Sequence, residues 1–460
     1  MSQTQLPGQT RPAPRAGIGR TALGVLWTAL YVVIALSPLL TILIGPEPEG
    51  RDFWTEFSVA LGFVGMSVMC LQFLITARFR RIAAPYGIDI LLQFHRQISF
   101  VAFGLVLAHP LILFLSRPET LALLNPVTAP WRARFAVLSV LTLVALVGTS
   151  VWRLNLKLGY ETWRLVHGLL SVLVIGLALA HMLGVGHYLD TPWKAALWTA
   201  MAVGVALLVL YVRLLKPFLL RTRPYRVTGV RRERGDSYTL SLAPDGHRGL
   251  RFRPGQFAWI RVGTSPLSVR ENPFSFSGSA EEQGQIHFTI KELGDFTRTV
   301  RDVPVGTRAY VDGPYGVFTP DYLQRDQGFV LIAGGVGITP MISILRTLAD
   351  RGDDRPVLLF AANKDWDSVT FREELDELRG RLNLRVVHVL NEAPDERPAG
   401  QEIETGFVSP ELLERYLPED RRTREYFLCG PPPMMDAVAK ALSDLGVPLT
   451  HVHAEEFNLV

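Results

Sequence analysis

The stretch that decides the fold is ILLQFHRQISFVAFGLVLAHPLILFL, residues 90–115, an apolar run that contains His95 and His109. A helix needs about 20 apolar residues to cross a bilayer, so this run predicts a membrane span. Its two histidines stand fourteen residues apart, which is close to four helical turns and about 21 Å along the axis. They therefore lie on nearly the same face of the helix, at two depths in the membrane.

A second apolar run repeats this spacing: residues 163–185 read WRLVHGLLSVLVIGLALAHMLGV and contain His167 and His181. As the third and fifth of six predicted spans, the two helices run in the same direction. The first histidines of both runs then share an inner level, and the second histidines share an outer level. Each level offers two imidazoles from facing helices, as axial ligation of a haem iron requires. The pattern predicts two stacked b-type haems, with these four histidines as iron ligands.

Intramembrane histidines can also bond across helices or relay protons. Two pairs with equal spacing and matched depth favour haem, and zinc fits less well because it needs four ligands close together. With two protein ligands on each iron, an acceptor would take its electron at the exposed haem edge. Arg96 is a candidate partner for a haem propionate because it directly follows His95, although an arginine at this depth can also snorkel to the interface.

The hydropathy of the chain divides it into two parts. Its 460 residues carry a net charge of +4 and have a mean hydropathy of +0.21. Residues 21–215 are dominated by apolar runs, whereas residues 224–460 have the composition of a soluble protein. The small net charge, with basic residues at the ends of apolar runs, favours membrane topology over nucleic-acid binding. The six predicted spans are residues 21–44, 53–77, 90–115, 135–152, 163–185 and 192–215.

Basic residues orient these spans, because cytoplasmic loops carry an excess of Lys and Arg. The balance predicts that both termini and the soluble half lie in the cytoplasm. The two cysteines, Cys70 and Cys429, stand in different parts of the chain, so no disulfide is expected. One loop on the predicted outer side is an exception and contains Arg117, Arg132 and Arg134. The basic residues on the predicted inner side are Arg11, Arg15, Arg20, Arg78, Arg80, Arg81, Arg153, Lys157, Arg213, Lys216, Arg221, Arg223 and Arg226.

Residues 225–318 contain short β-rich runs broken by Gly and Pro, which indicates a small antiparallel barrel. Within it, residues 272–277 read NPFSFS. Phe274 can pack on a flavin ring and Ser275 can hydrogen-bond its edge, although the same alternation also describes a half-buried strand. Residues 294–297, GDFT, precede a helical stretch whose first N–H groups can hold a phosphate or form an ordinary turn.

After residue 328 the pattern changes to strands alternating with helices, which predicts a parallel sheet that binds ligands at the carboxyl ends of its strands. One strand opens into GGVGITP, residues 334–340, and a later one into CGPPPM, residues 429–434. Glycines let the backbone approach a pyrophosphate, so the two loops together predict a nucleotide crevice. Lys364, with Arg372 beyond it, is placed to bind a 2′-phosphate. This favours NADPH over NADH, although both residues can equally be solvated loop charges.

Over residues 21–460 the chain resembles the NADPH oxidase and ferric reductase superfamily, most closely its single-chain prokaryotic oxidases. The resemblance is carried by the paired histidines and by the PFSFS, GDFT, GGVGITP and CGPPPM motifs. It implies haem ligation by the four histidines and an aromatic, Phe457, that covers the flavin. Asn272 departs from the histidine that these oxidases usually carry, which puts the flavin pyrophosphate contact there in question. Arg51 resembles an arginine near the oxygen site of the family.

The resemblance also implies which residues contact the flavin and the nicotinamide nucleotide. Phe457, Cys429 and Ser275 are expected at the reacting rings. The residues implicated in flavin contact are Asn272, Pro273, Phe274, Ser275, Gly294 and Thr297. The residues implicated in nicotinamide nucleotide contact are Gly334, Gly335, Gly337, Thr339, Cys429, Gly430 and Pro431.

The predicted architecture is multidomain: a six-helix transmembrane haem bundle followed by a ferredoxin–NADP reductase-like module. That module comprises an antiparallel β-barrel FAD domain and an α/β nucleotide-binding domain. The predicted boundaries are a cytoplasmic segment 1–20, a membrane domain 21–215, a basic linker 216–223, an FAD domain 224–325 and an NADPH domain 326–460.

The predicted function is electron transfer from cytosolic NADPH, through FAD and two haems, to an acceptor outside the plasma membrane, the inner membrane of a bacterium. With O₂ as acceptor the product is superoxide. The alternatives are a ferric-chelate reductase and a non-enzymatic membrane electron conduit or transporter. No obligatory protein subunit and no nucleic acid partner are expected.

Overall fold

The computed structural model describes residues 20–42, 44, 49–83, 85–323 and 328–455. Within these residues, six helices are long and apolar enough to cross a membrane. They overlap the six predicted spans and confirm the predicted membrane bundle. They are α1 (Arg20–Ile42), α2 (Phe53–Thr76), α3 (Ile88–Ser116), α4 (Trp131–Val151), α5 (Tyr160–Val185) and α6 (Pro192–Leu210).

The sixth helix does not end at the membrane domain. It continues through a π-helical turn, Tyr211–Leu215, into a further helical turn, Lys216–Leu220. The segment expected to be a basic linker therefore begins as helix. A π-helical turn leaves the regular α-helical repeat and often marks a functional position.

Glycines bring the helices that carry the histidines close to their neighbours. A Cβ added at Gly65 of α2 would lie 2.7 Å from Val106 of α3, and one added at Gly184 of α5 would lie 2.3 Å from Trp131 of α4. Small residues allow this approach because association of helices in lipid depends on close packing rather than on the hydrophobic effect. Pairs α2–α3 and α4–α5 thereby form the two walls that hold the histidines.

The first domain after the bundle is built on a six-stranded antiparallel sheet in the order β4-β3-β6-β1-β2-β5. A bridge between Phe276 and Phe288 joins the chain after β4 to β5, so the sheet curves towards closure. Its strands are β1 (Tyr225–Glu233), β2 (Ser237–Pro244), β3 (Phe257–Val262), β4 (Asn272–Ser275), β5 (Ile286–Lys291) and β6 (Arg308–Tyr315), and a short helix, α7 (Asp295–Thr299), follows β5.

The last domain is built on a parallel sheet in the order β10-β9-β8-β7-β11-β12. Its strands are β7 (Phe329–Gly334), β8 (Val357–Asn363), β9 (Leu384–Leu390), β10 (Glu402–Thr405), β11 (Glu425–Cys429) and β12 (Val452–Ala454). Its helices are α8 (Ile338–Arg351), α9 (Arg372–Arg379), α10 (Pro410–Tyr416) and α11 (Pro432–Asp444).

Strand β7 shows why this sheet is parallel and central. All six of its residues are buried. Phe329 and Leu331 pack in one apolar cluster and Val330 and Ile332 in another, because alternate side chains point to opposite faces of a strand. A strand that is apolar on both faces must be covered by helices on both sides, which is typical of parallel α/β sheets.

The strand order changes direction between β7 and β11, which are neighbours although they are far apart in sequence. Ligands of open α/β sheets bind at such a switch point, beyond the carboxyl ends of the strands. The two glycine loops meet there: a Cβ on Gly337 would lie 2.3 Å from the carbonyl oxygen of Cys429, and one on Gly430 would lie 3.1 Å from Gly334. The fold thus brings the predicted nucleotide loops into contact.

Candidate functional site

The inner pair of histidines lies between α3 and α5. The ring centres of His95 and His167 are 6.4 Å apart. His95 Nδ1 donates to Gln72 Oε1 at 2.8 Å, and His167 Nδ1 lies 3.0 Å from Ser150 Oγ. Because the Ser150 hydroxyl donates to the carbonyl of Leu146, its oxygen accepts from His167. Both rings therefore keep Nδ1 protonated.

The outer pair follows the same rule. The ring centres of His109 and His181 are 6.5 Å apart. His109 Nδ1 donates to the Ser58 carbonyl at 3.0 Å, and His181 Nδ1 donates to the Arg132 carbonyl at 3.0 Å. A carbonyl oxygen can only accept, so Nδ1 carries the proton in each neutral ring. All four imidazoles present an unprotonated Nε2, the form that binds a metal.

These distances suit a metal between each pair. A metal–imidazole bond of about 2 Å and a ring radius of about 1 Å place two axial rings roughly 6 Å apart, centre to centre. The hydrogen bonds at Nδ1 are the outer contacts that metal-bound histidines usually make. Elsewhere in the described ranges, no group of three or more His, Cys, Asp or Glu side chains could hold a metal ion. The two levels fit iron porphyrin with two axial histidines.

Two arginines lie near the inner pair. Arg96, the predicted propionate partner, is exposed beside His95. Arg213, in the π-helical turn after α6, places its guanidinium 3.6 Å from where a Cβ on Gly168 would lie, next to His167. From the sequence alone, Arg213 reads only as a charge that orients the spans. The π-helical turn that aims it at α5 leaves no clear sequence signal.

The predicted flavin strand contains buried hydroxyls. Ser275 is 5% exposed and Ser277 is fully buried, and within the described part of the chain neither hydroxyl has a hydrogen-bond partner. An unpaired buried hydroxyl is costly, so a bound group is the natural partner. Phe274 is half-buried and stacks on Phe296 with ring centres 6.0 Å apart. Asn272 and Pro273 pair with β3 at the start of the same strand.

The GDFT turn forms hydrogen bonds within itself. The Thr297 hydroxyl accepts from the backbone N–H groups of Leu293 and Gly294, both at 2.8 Å. Those two donors are therefore engaged inside the turn. A phosphate at this position would use the other N–H groups of the first turn of α7, and the predicted roles of Thr297 and Gly294 in flavin binding stay predictions.

The carboxyl end of β11 brings Cys429 close to Glu455. Burial raises the pKa of the Cys429 thiol well above its ordinary value, and Glu455 adds to the shift. Burial, together with Asp89, raises the pKa of the Glu455 carboxyl. Among the described residues, Glu455 Oε2 has no hydrogen-bond partner. Glu455, which directly follows β12, has no signal in the sequence. It lies two residues before Phe457, the aromatic expected to cover the flavin, and Phe457 lies outside the described residues.

The glycine loop after β7 is open where a ligand needs space. Gly335 has a φ of +54°, and a Cβ added there would meet no atom of the described residues within 4 Å. Thr339 is buried in the first turn of α8, and Pro431 caps α11 after the second loop. These residues belong to the two loops that meet between β7 and β11, and their contact with a nucleotide stays a prediction.

Lys364 lies directly beyond the carboxyl end of β8, the position predicted for it. It is exposed, with Nζ 3.9 Å from Glu392. The Arg372 guanidinium lies 4.6 Å from the ring centre of Trp366 and 3.4 Å from Glu373. Lys364 is therefore the freer of the two cations to meet a phosphate, and its role stays a prediction.

Two known families match separate parts of the chain. The family described as ferric reductase like transmembrane component matches residues 61–178, from α2 into α5. The family described as oxidoreductase NAD-binding domain matches residues 331–440, from β7 into α11.

Three curated reductases are similar to the chain over half of its length or less. The reductase component of propane 2-monooxygenase from Rhodococcus jostii is 32% identical over 50% of this chain and 62% of that protein. NADH-cytochrome b5 reductase 1 of Lodderomyces elongisporus is 37% identical over 36% of this chain and 55% of that protein. The ferredoxin reductase component of 3-ketosteroid-9-alpha-monooxygenase from Rhodococcus rhodochrous is 34% identical over 50% of this chain and 64% of that protein. The chain thus spans less than two thirds of each relative.

The membrane match and the reductase match lie in the order that the fold places them, bundle first and nucleotide sheet last. The reductase matches support a module for a flavin and a nicotinamide nucleotide. The chain is therefore a transmembrane oxidoreductase with the architecture of the NADPH oxidase and ferric reductase superfamily.

Proposed function

We propose that this oxidoreductase carries electrons from NADPH through FAD and two b-type haems to O₂ on the outer side of the membrane, forming superoxide. When bound, the flavin would take a hydride from the nicotinamide and pass electrons singly to the haems. The observation that carries the proposal is the pair of histidine levels, with ring centres 6.4 and 6.5 Å apart.

The chain's own part in haem binding is to fix four imidazoles. Gln72 and Ser150 orient the inner rings, and the carbonyls of Ser58 and Arg132 orient the outer rings. Each hydrogen bond selects the tautomer that leaves Nε2 free and raises its basicity. The sites are thereby prepared for iron before it binds, which lowers the cost of ordering the ligands.

In the reductase half, the residues orient two rings and manage one proton. Ser275 has a hydroxyl without a partner among the described residues, on the strand expected to hold the flavin, and Cys429 lies at the end of β11 where the nicotinamide is expected. Glu455 keeps its proton above the ordinary pKa of a carboxyl because it is buried. It is therefore placed to hold the proton that must be exchanged when two electrons enter as a hydride and leave one at a time.

Two arginines lie at the outer end of the bundle. The guanidinium of Arg51 lies 5.8 Å from the ring centre of Tyr188, whose hydroxyl donates to Glu56. Arg117 pairs with Asp52 at 2.6 Å. Because two histidines would fill both axial positions of each iron, O₂ would receive one electron at the haem edge. Arg117 is neutralised by Asp52, so Arg51 is the residue of these two that would attract the resulting superoxide anion.

The test is single-turnover reduction in the purified protein. NADPH is added without oxygen, and absorbance is followed at the flavin band and the haem Soret band. The proposal expects the flavin to change first and both haems afterwards, and admission of O₂ should reoxidise the haems with production of superoxide. Haem that is present but never reduced by NADPH would refute the electron path.

The match to the ferric reductase like transmembrane component supports a second candidate, reduction of ferric chelates. The two acceptors separate in one comparison. Turnover in air without added iron, inhibited by superoxide dismutase when a cytochrome reporter is used, supports O₂. Fast haem reoxidation by a ferric chelate under argon, with slow reoxidation by O₂, supports the metalloreductase.

A further inference from the structure

One carboxylate at the junction of the two halves is surrounded by arginines. The side chain of Glu271 is 2% exposed and lies 2.9 Å from Arg78 and 2.6 Å from Arg164, and it also contacts Arg261. Burial opposes its ionisation, but the three guanidinium groups outweigh burial and lower the pKa of Glu271 to about 2. Glu271 is therefore an anion at neutral pH and is surrounded by three arginines.

The three arginines come from different parts of the molecule. Arg261 is in β3 of the same barrel as Glu271, so this pair satisfies the carboxylate within the FAD domain. Arg78 follows the end of α2, and Arg164 is in the first turns of α5. These two membrane-side cations cross the junction, and their charges need the carboxylate because both are largely buried.

A second ionic contact crosses the same junction. Lys216, in the helical turn after α6, lies 2.8 Å from Asp312 of β6. It also donates to the Tyr315 hydroxyl at 2.8 Å, and that hydroxyl donates to Asp312 at 2.7 Å. Arg78 adds a cation–π contact, 3.8 Å from the ring centre of Trp259 in β3. The membrane side thus supplies the cations and the barrel supplies the anions and rings.

The position of the first contact relates it to electron transfer. Glu271 directly precedes β4, the strand expected to hold the flavin ring. Arg164 stands three residues before His167, which is about one helical turn. The ion pair between them therefore joins the flavin strand to the helix that carries an inner histidine, with few intervening bonds. Arg78 stands six residues after Gln72, which orients His95.

We propose that Arg78 and Arg164, through Glu271, are positioning residues that fix the flavin strand against the inner histidine level and so set the rate of flavin-to-haem electron transfer. This inference rests on the proposed function. A buried ion pair adds little net stability, because the cost of removing both charges from water offsets much of their attraction. An apolar junction could hold the two halves together, but directional charge pairs also fix their register.

The test removes only the membrane-side cations. In the variant R78Q/R164Q, Glu271 keeps Arg261, so the barrel retains an internal partner for its carboxylate. The matched control is R226Q/R231Q, which removes two cations from exposed pairs within the barrel. Two rates are measured with NADPH: reduction of ferricyanide, which takes single electrons from the flavin, and anaerobic reduction of haem at the Soret band.

In R78Q/R164Q we expect ferricyanide reduction within about twofold of the wild type and haem reduction slowed roughly tenfold or more. Loss of partners in a buried charge cluster should shift the equilibrium between the docked and undocked arrangements of the two halves by at least that factor. The control should match the wild type in both rates. Equal haem rates in all three proteins would overturn the proposal. A parallel loss of both rates would also overturn it, because it would assign the arginines to general folding.

Two further readings keep the outcome interpretable. Dithionite reduces haem without the flavin, so all three proteins should give the same dithionite-reduced spectrum. If the wild type contains haem that NADPH never reduces, the proposed function fails independently of the junction. If R78Q/R164Q loses its cofactors, the single variant R164Q serves instead, with haem reduction slowed by a smaller factor; an unchanged rate would overturn the inference.

Discussion

Replacing Gln72 by leucine should weaken one haem and spare the other. Gln72 is a buried side chain on α2 whose Oε1 accepts from His95 Nδ1 at 2.8 Å. Leucine has a similar volume but no acceptor, so the Nδ1–H of His95 would be left buried without its partner. The outer level takes its hydrogen bonds from backbone carbonyls and is not touched by the change.

The magnitude follows from the contact that is lost. An unsatisfied buried donor costs about 1–3 kcal/mol, and each 1.4 kcal/mol corresponds to a factor of ten in an equilibrium constant. Loss of an outer hydrogen bond to a metal-bound histidine typically weakens metal binding about 10–100-fold. The affinity of the inner site for haem should fall within that range. Because His95 becomes a weaker electron donor, the midpoint potential of the same haem should rise.

The assay is transfer of haem from purified Q72L to an excess of an apo-haem protein, followed at the Soret band. The wild type should lose haem slowly, and Q72L should lose half of its haem in a separate fast phase. The matched control is S67A, which removes a buried hydrogen bond from α2 to the Ile34 carbonyl without touching a histidine. Loss of both haems at one rate in Q72L, or a fast phase in S67A, would refute the reasoning.

Three further predictions follow from contacts at other positions. Gly65→Val should lower the Tm by an amount equivalent to about 1–3 kcal/mol, because even a Cβ at this position would lie 2.7 Å from Val106; an unchanged Tm would contradict the packing of α2 on α3. Lys364→Gln should raise the KM for NADPH roughly tenfold with little effect on the KM for NADH, since a charged hydrogen bond to phosphate contributes about 1.5–3 kcal/mol. The exposed control K440Q should change neither KM. An equal change for both nucleotides would argue against a 2′-phosphate contact. The pKa of Glu455 is raised in the folded protein, so the unfolded chain loses this proton first as pH rises above the ordinary carboxyl value. Stability therefore falls with rising pH. Glu455→Gln should gain Tm over the wild type by an amount that grows from about pH 5 to 8, and a pH-independent difference would contradict this.

The histidine levels could be predicted because they depend on a local repeat. Helical periodicity places residues fourteen apart on one face, and membrane topology then matches the depths of two helices. The partners of the histidines could not be found in this way. Gln72 and Ser150 belong to other helices, and polar residues in a span do not reveal which neighbour they face until α2 and α4 are packed against α3 and α5.

Helix ends were less predictable than helix centres. The fourth span was expected from residue 135, but α4 begins at Trp131. Hydropathy excluded Arg132 and Arg134, yet arginines at a helix end can extend their charge towards the interface. Arg134 donates to the carbonyls of Ala129 and Val127, which ties it to the loop before the helix. Of the outer-side arginines that opposed the charge rule, Arg134 is thus bonded locally.

The junction of the two halves had no sequence signal at all. Glu271 reads as an ordinary charge beside the flavin motif, and Arg164 reads as a polar residue at the start of a span. Their contact depends on how the barrel sits on the bundle, which no local pattern contains. The same holds for Glu455, whose neighbours Cys429 and Asp89 lie in a distant strand and in a membrane helix.

The measurement that tests the central claim most directly is the haem content of purified wild type and H109L, counted against FAD. Two haems per flavin in the wild type, both low-spin and six-coordinate, with one haem lost and flavin reduction by NADPH retained in H109L, is the predicted result. A wild type without haem, or an H109L protein that keeps both haems unchanged, would contradict ligation by paired histidines at two levels.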